Sequence, residues 1–353
     1  MKKFGFLAVA ALVVLVLAGS VFASDNRVWE RTTPTVVVGF GAGGGTDTAV
    51  RPLIALMQQY LGETINVINM PGAASAIAAE HVMSQPRDGY TMFATGSGTL
   101  GGFMINETSE QGVPWNWHGF HHVRGPAAIL VNPEISGIYT VEDAINALKA
   151  GTANVGVSSL GAGIHAFVEA FAAAAGIETE INYVTFGGDG ATCVALIAGE
   201  VEIGSISFQA GIDYVRAGQL RVLFLNQREP FQIGDVVIPP ITDLGSAFYD
   251  IPNLAETWPV MIPRDAPAEI VERLTAAFIW ACAQPEMAEF AERMGFQIIA
   301  AHGEEADRML DFKYSAYAWV LYEAGMSLMS PEQFDIPRPE DWDWETRKAL
   351  YGF

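Results

Sequence analysis

Apolar residues recur along this chain in two rhythms. Short unbroken runs read as buried strands: Thr35 to Phe40, Ile65 to Ile68, Tyr90 to Thr95, Ile129 to Val131, Asn154 to Val157, Ile181 to Phe186, Val201 to Ile206 and Leu220 to Leu225. Between several of them the spacing changes to the helical one. After the first strand, Val50, Leu53, Ile54, Met57 and Leu61 make one apolar face. An Ala-rich segment through Met83 and the segments Val141–Lys149, His165–Ala175 and Ala191–Ala198 have the same character. Strand, helix, strand, helix, strand is the signature of a parallel sheet with crossover helices. The chain then turns helical, with amphipathic patterns over Pro267–Ala283, Glu286–Met294 and Glu304–Ala324. A tail from Ser330, rich in Pro, Trp and acid, either wraps the surface or stays mobile.

The junctions carry the chemistry. Gly41-Ala-Gly-Gly-Gly45 lies between the first strand and its helix, with Thr46 or Asp47 read as the helix cap. Ser158-Ser-Leu-Gly-Ala-Gly163 occupies the equivalent place before the helix beginning at His165. In a parallel sheet such loops sit at the carboxyl ends of the strands, where ligands bind. A helix start offers unpaired N–H groups and the positive end of a dipole, and glycine lets an anion approach them. Two such cradles facing each other would form a pincer for a compact anion without any Lys or Arg.

Charge sharpens this reading. The net charge is −21, and Met1–Ala23 contributes two lysines and no acid, so the chain without that segment carries −23. Such a surface disfavours nucleic acid and anionic membranes, so an anionic ligand needs a local device. Met1-Lys2-Lys3, the apolar run Phe4–Ala18 and the ending Val21-Phe22-Ala23 have the form of a secretory leader cleaved after Ala23. The remaining 330 residues suit two domains. Cys193 and Cys282 fall in helix-like apolar patterns and are read as buried thiols, although export would permit a disulfide. No cofactor or metal is expected, because the six histidines and two cysteines show no ligand spacing. His121-His122 is read as a solvated strand entry, and Trp115 or Trp117 as surface packing or a cleft wall.

Other chemistries share these residues. Gly39, Gly41 and Gly44 fit a dinucleotide fingerprint with Glu63 about 20 residues on. Gly45-Thr46-Asp47 lacks the lysine of a phosphate-binding Walker loop. Ser158, Ser159, His165 and Asp189 supply the residue types of a hydrolytic triad, but not in G-x-S-x-G.

The ordered set of motifs resembles one family, the solute-binding proteins of tripartite tricarboxylate transporters, or Bug family. The residues are Phe40-Gly-Ala-Gly-Gly-Gly-Thr-Asp-Thr-Ala-Val-Arg51, Asn69-Met-Pro-Gly-Ala73, Pro86-Arg-Asp-Gly-Tyr90, Ser158–His165, Val184–Gly188 with Ala198–Glu202, Ile238–Gly245 and Trp258–Pro263. The resemblance implies an α/β, two-lobed Venus-flytrap fold of type II-like form with two crossover segments. Lobe 1 would be 24–126 plus 258–353 and lobe 2 would be 127–257. It implies a non-enzymatic, monomeric periplasmic protein that holds a small organic acid and delivers it to membrane subunits; docking on a sensor kinase is the alternative, and an exported enzyme a third option. The ligand contacts would be Phe40 as an apolar wall, Gly43, Gly44, Gly45, Thr46 and Asp47 from the first loop, and Ser158, Ser159, Gly161, Ala162 and His165 from the second. Thr95, Ser97, Phe186, Gly187, Gly188 and Asp189 complete the set, with Asp189 able to meet a ligand amine. Ala162 and Phe186 stand where the family commonly has a hydroxyl-bearing residue, which suggests a ligand with an apolar part.

Overall fold

The computed structural model describes Trp29 and residues 32–352; the leader segment lies outside the described residues. Two separate sheets organise the chain. In the first, β1 (Thr35–Val38) is flanked in parallel by β2 (Asn66–Asn69) and β3 (Thr91–Ala94). The expected crossovers are there: helix α1 (Gly45–Leu61) joins β1 to β2, and α2 (Ala76–Ser84) precedes β3. Pro52 sits inside α1, yet Val50, Leu53, Ile54, Met57 and Leu61 are all buried as the spacing required.

Trp117–Gly125 (β4) is a nine-residue strand that the sequence pattern did not reveal. Its other partners arrive from far along the chain. Glu256–Thr257 (β10) and Val260–Pro263 (β11) run antiparallel on one side, and Gln297–Ala301 (β12) on the other. The sheet is therefore mixed, not purely parallel. His121 and His122 lie within β4 and are completely buried, which corrects the reading of a solvated strand entry. His121 Nδ1 is 2.9 Å from Thr257 Oγ1 and His122 Nε2 is 2.8 Å from the Ala49 carbonyl. These bonds offset the cost of placing polar rings in the core. Trp117 is also fully buried, its ring 5.3 Å from that of Phe93. Trp115 is half-buried against Tyr314 and Tyr351.

Pro126 ends the ladder of β4, because it has no N–H to donate. The chain passes at that point into the second sheet as β5 (Ala127–Val131). There β6 (Asn154–Val157) lies parallel to β7 (Asn182–Thr185) and β8 (Ile203–Ser207), while β5 is antiparallel to β8 and to β9 (Arg221–Leu225). Helices α3 (Gly163–Ala174), α4 (Asp189–Ala198) and α5 (Phe208–Arg216) follow β6, β7 and β8. The chain returns to the first sheet at Glu256. Cys193 and Cys282 are free and buried.

The C-terminal helix α6 (Gly303–Glu323) lies under residues from both sheets' loops. The tail wraps it. Asp311, fully buried in α6, accepts from Arg347 Nη2 at 2.9 Å, Trp342 Nε1 at 2.7 Å and the Tyr351 hydroxyl at 3.1 Å. Trp319 Nε1 donates to the Pro337 carbonyl at 2.8 Å, and Arg338 lies 3.9 Å over the Trp319 ring. Among the described residues no helix is long and apolar enough to cross a membrane.

Candidate functional site

Every strand-to-helix loop named above sits at the carboxyl end of its strand, and the loops of the two sheets meet face to face. The Gly41 N–H donates to the Gly187 carbonyl across the gap at 3.2 Å. The contact is backbone on backbone: a Cβ on Gly188 would stand 3.3 Å from Gly41 Cα. Below this rim lies a cleft lined by Phe40, Gly44, Gly45, Thr46, Ser158, Ala162 and Asp189, seven of the residues singled out in the sequence. Gly96, Thr99, Gly163, Ile164, Ser207, Glu256 and Trp258 complete it. It encloses about 20 Å³, room for roughly one water molecule.

The helix that begins the first cradle starts two to three residues earlier than expected. Gly44 is the N-cap of α1 and provides no side chain, so neither Thr46 nor Asp47 caps it. Asp47 braces the loop from within the first turn. It accepts the Gly43 N–H at 3.0 Å, Arg51 Nε at 2.9 Å and Asn69 Nδ2 at 2.9 Å. Burial pushes its carboxyl upward, but Arg51, the Gly43 N–H and Asn69 together outweigh that and hold it below the usual range. Asn69 also ties down the Phe40 carbonyl at 2.9 Å, which fixes the apolar wall.

Asp189 crosses the gap. From the first turn of α4 its Oδ2 accepts the N–H of Gly45 at 3.3 Å and that of Ser207 at 3.2 Å. Gly45 belongs to the first-sheet side and Ser207 to the second. Oδ1 has no hydrogen-bond partner and is buried. Burial raises the Asp189 carboxyl above its ordinary value, against the pull of the Ser207 hydroxyl and N–H, the Gly45 N–H and the Ser158 hydroxyl. Glu256, a second buried acid, sits on the far wall. Its Oε2 accepts from Ser97 Oγ and from the Gly98 N–H, each at 3.1 Å. Burial raises this carboxyl too, partly offset by Lys313 behind it.

Several sequence candidates lie elsewhere. Thr95 Oγ1 pairs with Ser75 Oγ at 2.8 Å beneath the first loop. Ser97 is occupied with Glu256 and accepts the Thr257 N–H at 3.1 Å. Ser159, Gly161 and His165 line a neighbouring cavity with Ala73, Phe103 and Met326. His165 Nδ1 accepts the Gly161 N–H at 3.0 Å and Nε2 lies 3.6 Å from Glu169 Oε1, so the ring is turned from Asp189 and the triad arrangement does not assemble. Phe186 is half-buried with its ring against Gly156, outside the cleft lining. Gly43 is exposed at the rim. Among the described residues no group of three His, Cys, Asp or Glu is placed to hold a metal ion.

Ser207 could have been found in the sequence, since it ends a strand immediately before a helix. Glu256 could not, and Trp258 was marked only as the start of a motif, because both come from the return segment β10–β11 and reach the cleft only through long-range pairing.

Comparison with known proteins agrees with this architecture. Residues 49–318 match the sequence model of the tripartite tricarboxylate transporter family receptors. A UPF0065 protein of Bordetella pertussis is 24% identical over 342 residues, covering 92% of this chain and 99% of that protein. BugT of the same organism is 24% identical over 303 residues, covering 83% and 89%. Among solved structures, the periplasmic binding protein BugD superposes with a TM-score of 0.75 at 19% identity, over 85% of this chain and 99% of that one. MatC from Rhodopseudomonas palustris with bound malate gives 0.73 at 21%, over 83% and 100%.

Proposed function

The chain belongs to the tripartite tricarboxylate transporter receptor family, and on that premise we propose that it captures a small carboxylate in the cleft between its sheets and presents it to membrane subunits of such a transporter. The observation that carries the reading is the set of unused donors inside the cleft. The N–H groups of Thr46 at the start of α1, and of Gly163 and Ile164 at the start of α3, belong to residues that line the cleft and take no protein acceptor among the described residues. All stand at the positive end of a helix, where a carboxylate is stabilised. Phe40 and Trp258 supply the apolar walls. In this reading the lobes are 24–126 with 258–353 and 127–257, save that Glu256 and Thr257 pair within the first sheet; the protein is an exported periplasmic monomer, and it performs no chemistry. The malate-bound relative named above and a second relative solved with adipate give the size of ligand to try first.

A thermal-shift screen of the mature protein, dialysed free of co-purified ligand, against small organic acids tests this. A true ligand at a hundredfold excess over its dissociation constant adds about 2.7 kcal/mol of apparent stability. A shift confined to one carboxylate class supports capture, and Thr46→Ala should then weaken it without unfolding the chain. Flat melting curves with every acid would remove the proposal.

A further inference from the structure

The cleft holds two carboxyl side chains of its own. Asp189 and Glu256 both line it, and both are almost completely buried, at 6% and 4% exposure. No Lys, Arg or His shares the lining. Glu256 has its needs met from behind, by Ser97, the Gly98 N–H and the nearby charge of Lys313. Asp189 does not. Its Oδ2 is satisfied by Gly45 and Ser207, whereas Oδ1 is buried with no hydrogen-bond partner, although the Ser158 and Ser207 hydroxyls are near enough to act on the carboxyl.

A buried carboxylate oxygen without a donor is costly. Burial holds the Asp189 carboxyl above its normal range, so its surroundings disfavour its charge. A plain dicarboxylate would make matters worse, by adding negative charge beside two acids in a space with no side-chain cation. A ligand that brings its own positive charge removes the problem. The free N–H groups of Thr46, Gly163 and Ile164 then remain for its carboxylate.

We infer that the ligand is zwitterionic: a small amino acid whose ammonium group donates to Asp189 Oδ1 while its carboxylate rests on the unused helix-start N–H groups. The inference rests on the cleft being the capture site and adds the substrate class. Asp189 is on this account the specificity-determining residue, and Thr46 reads the other end.

Matched pairs that differ only in the amine decide it: aspartate against succinate, glutamate against glutarate, and 2-aminoadipate against adipate, each titrated calorimetrically into ligand-free protein. The amine-bearing member of at least one pair should bind ten or more times tighter than its partner. In Asp189→Asn, where the amide keeps the size and the acceptor for Gly45 and Ser207, the two members should come within about twofold, with the plain acid gaining. Asp189→Ser serves as a second variant, and the native comparison stands alone if neither variant folds. Thr46→Ala should weaken both members of the preferred pair alike. Equal or tighter binding of the plain acids, or a preference for the amine that survives in Asp189→Asn, overturns the inference and leaves carboxylate capture intact. Failure of every member of every pair to bind overturns both.

Discussion

Buried ionisable side chains give single residues an outsized hold on this protein. Asp189 is raised by burial, so its cost is absent below pH 3.8, where both folded and unfolded chains hold the proton. The cost grows as pH rises from there to the folded-state value and stays constant above it. Asp189→Asn should therefore stabilise the ligand-free protein at pH 7, and the advantage over the native chain should shrink towards zero near pH 4 in urea titrations. The two core histidines act in the opposite sense. Burial lowers His121 to about 3 and His122 to about 4 from 6.5. Below pH 6.5 the unfolded chain takes up protons that the folded chain refuses, so stability falls with pH. At pH 4.5 the loss is roughly 2 to 3 kcal/mol for each ring. His122→Gln should flatten this acid limb in denaturation midpoints measured from pH 7 to 4.5. Residue-scale facts of this kind were only partly legible in the sequence. Phe40, Gly44, Gly45, Thr46 and Ser158 announced themselves through loop composition. The burial of His121 and His122 did not, because it depends on β10 and β12 covering β4 from more than 130 positions away.

At the scale of elements, the cleft is made by helix starts that come close because they lack side chains. A Cβ on Gly45 would stand 2.4 Å from the Ser207 side chain, and one on Gly163 would stand 1.6 Å from Glu256 Oε1. Both glycines begin helices and neither has a positive φ, so alanine suits the backbone at each. Gly45→Ala should leave the melting temperature nearly unchanged, hold the lobes apart, and weaken ligand binding tenfold or more by calorimetry; unaltered affinity would show that closure does not bring these two surfaces together. The strand–loop–helix units were readable because each is local: a β-branched run, a glycine turn, a 3.6-residue period. The antiparallel strands were not. Trp117–Gly125 alternates weakly, since the sheet buries it on both faces and its partners are chosen by topology. The acid-and-tryptophan tail was likewise ambiguous, because its anchors Asp311, Glu304 and Trp319 lie on a helix whose pattern gave no hint of a second layer.

For the molecule as a whole, closure and charge are linked. The chain carries −21 overall, yet between the lobes Asp189 sets a carboxyl on the Gly45 N–H in place of a basic side chain. Capture between two lobes draws them together around the ligand. Spin labels on exposed positions of the two lobes, such as Tyr60 and Val194, should report a distance that shortens once ligand is added; an unchanged or longer distance would contradict this. The fold class was legible in the order of strands and helices, because crossovers have a fixed hand and loops have fixed ends. The degree of closure was not, since it depends on contacts between Gly41 and Gly187 that no local pattern encodes.

The tail has a consequence for the order in which the molecule is made. Asp311 is wholly buried, and its cation is Arg347, 36 positions further along the chain. Removing one partner from a buried pair of this kind costs about 3 to 5 kcal/mol. Arg347→Met should lower the unfolding free energy by that amount. During synthesis the same deficit exists in every nascent chain until Arg347 has been added, 36 positions after its partner. Helix α6, which touches loops of both sheets, cannot settle before then. One side chain thus ties the folding of the molecule's centre to a late segment, and the two lobes reach their final stability together.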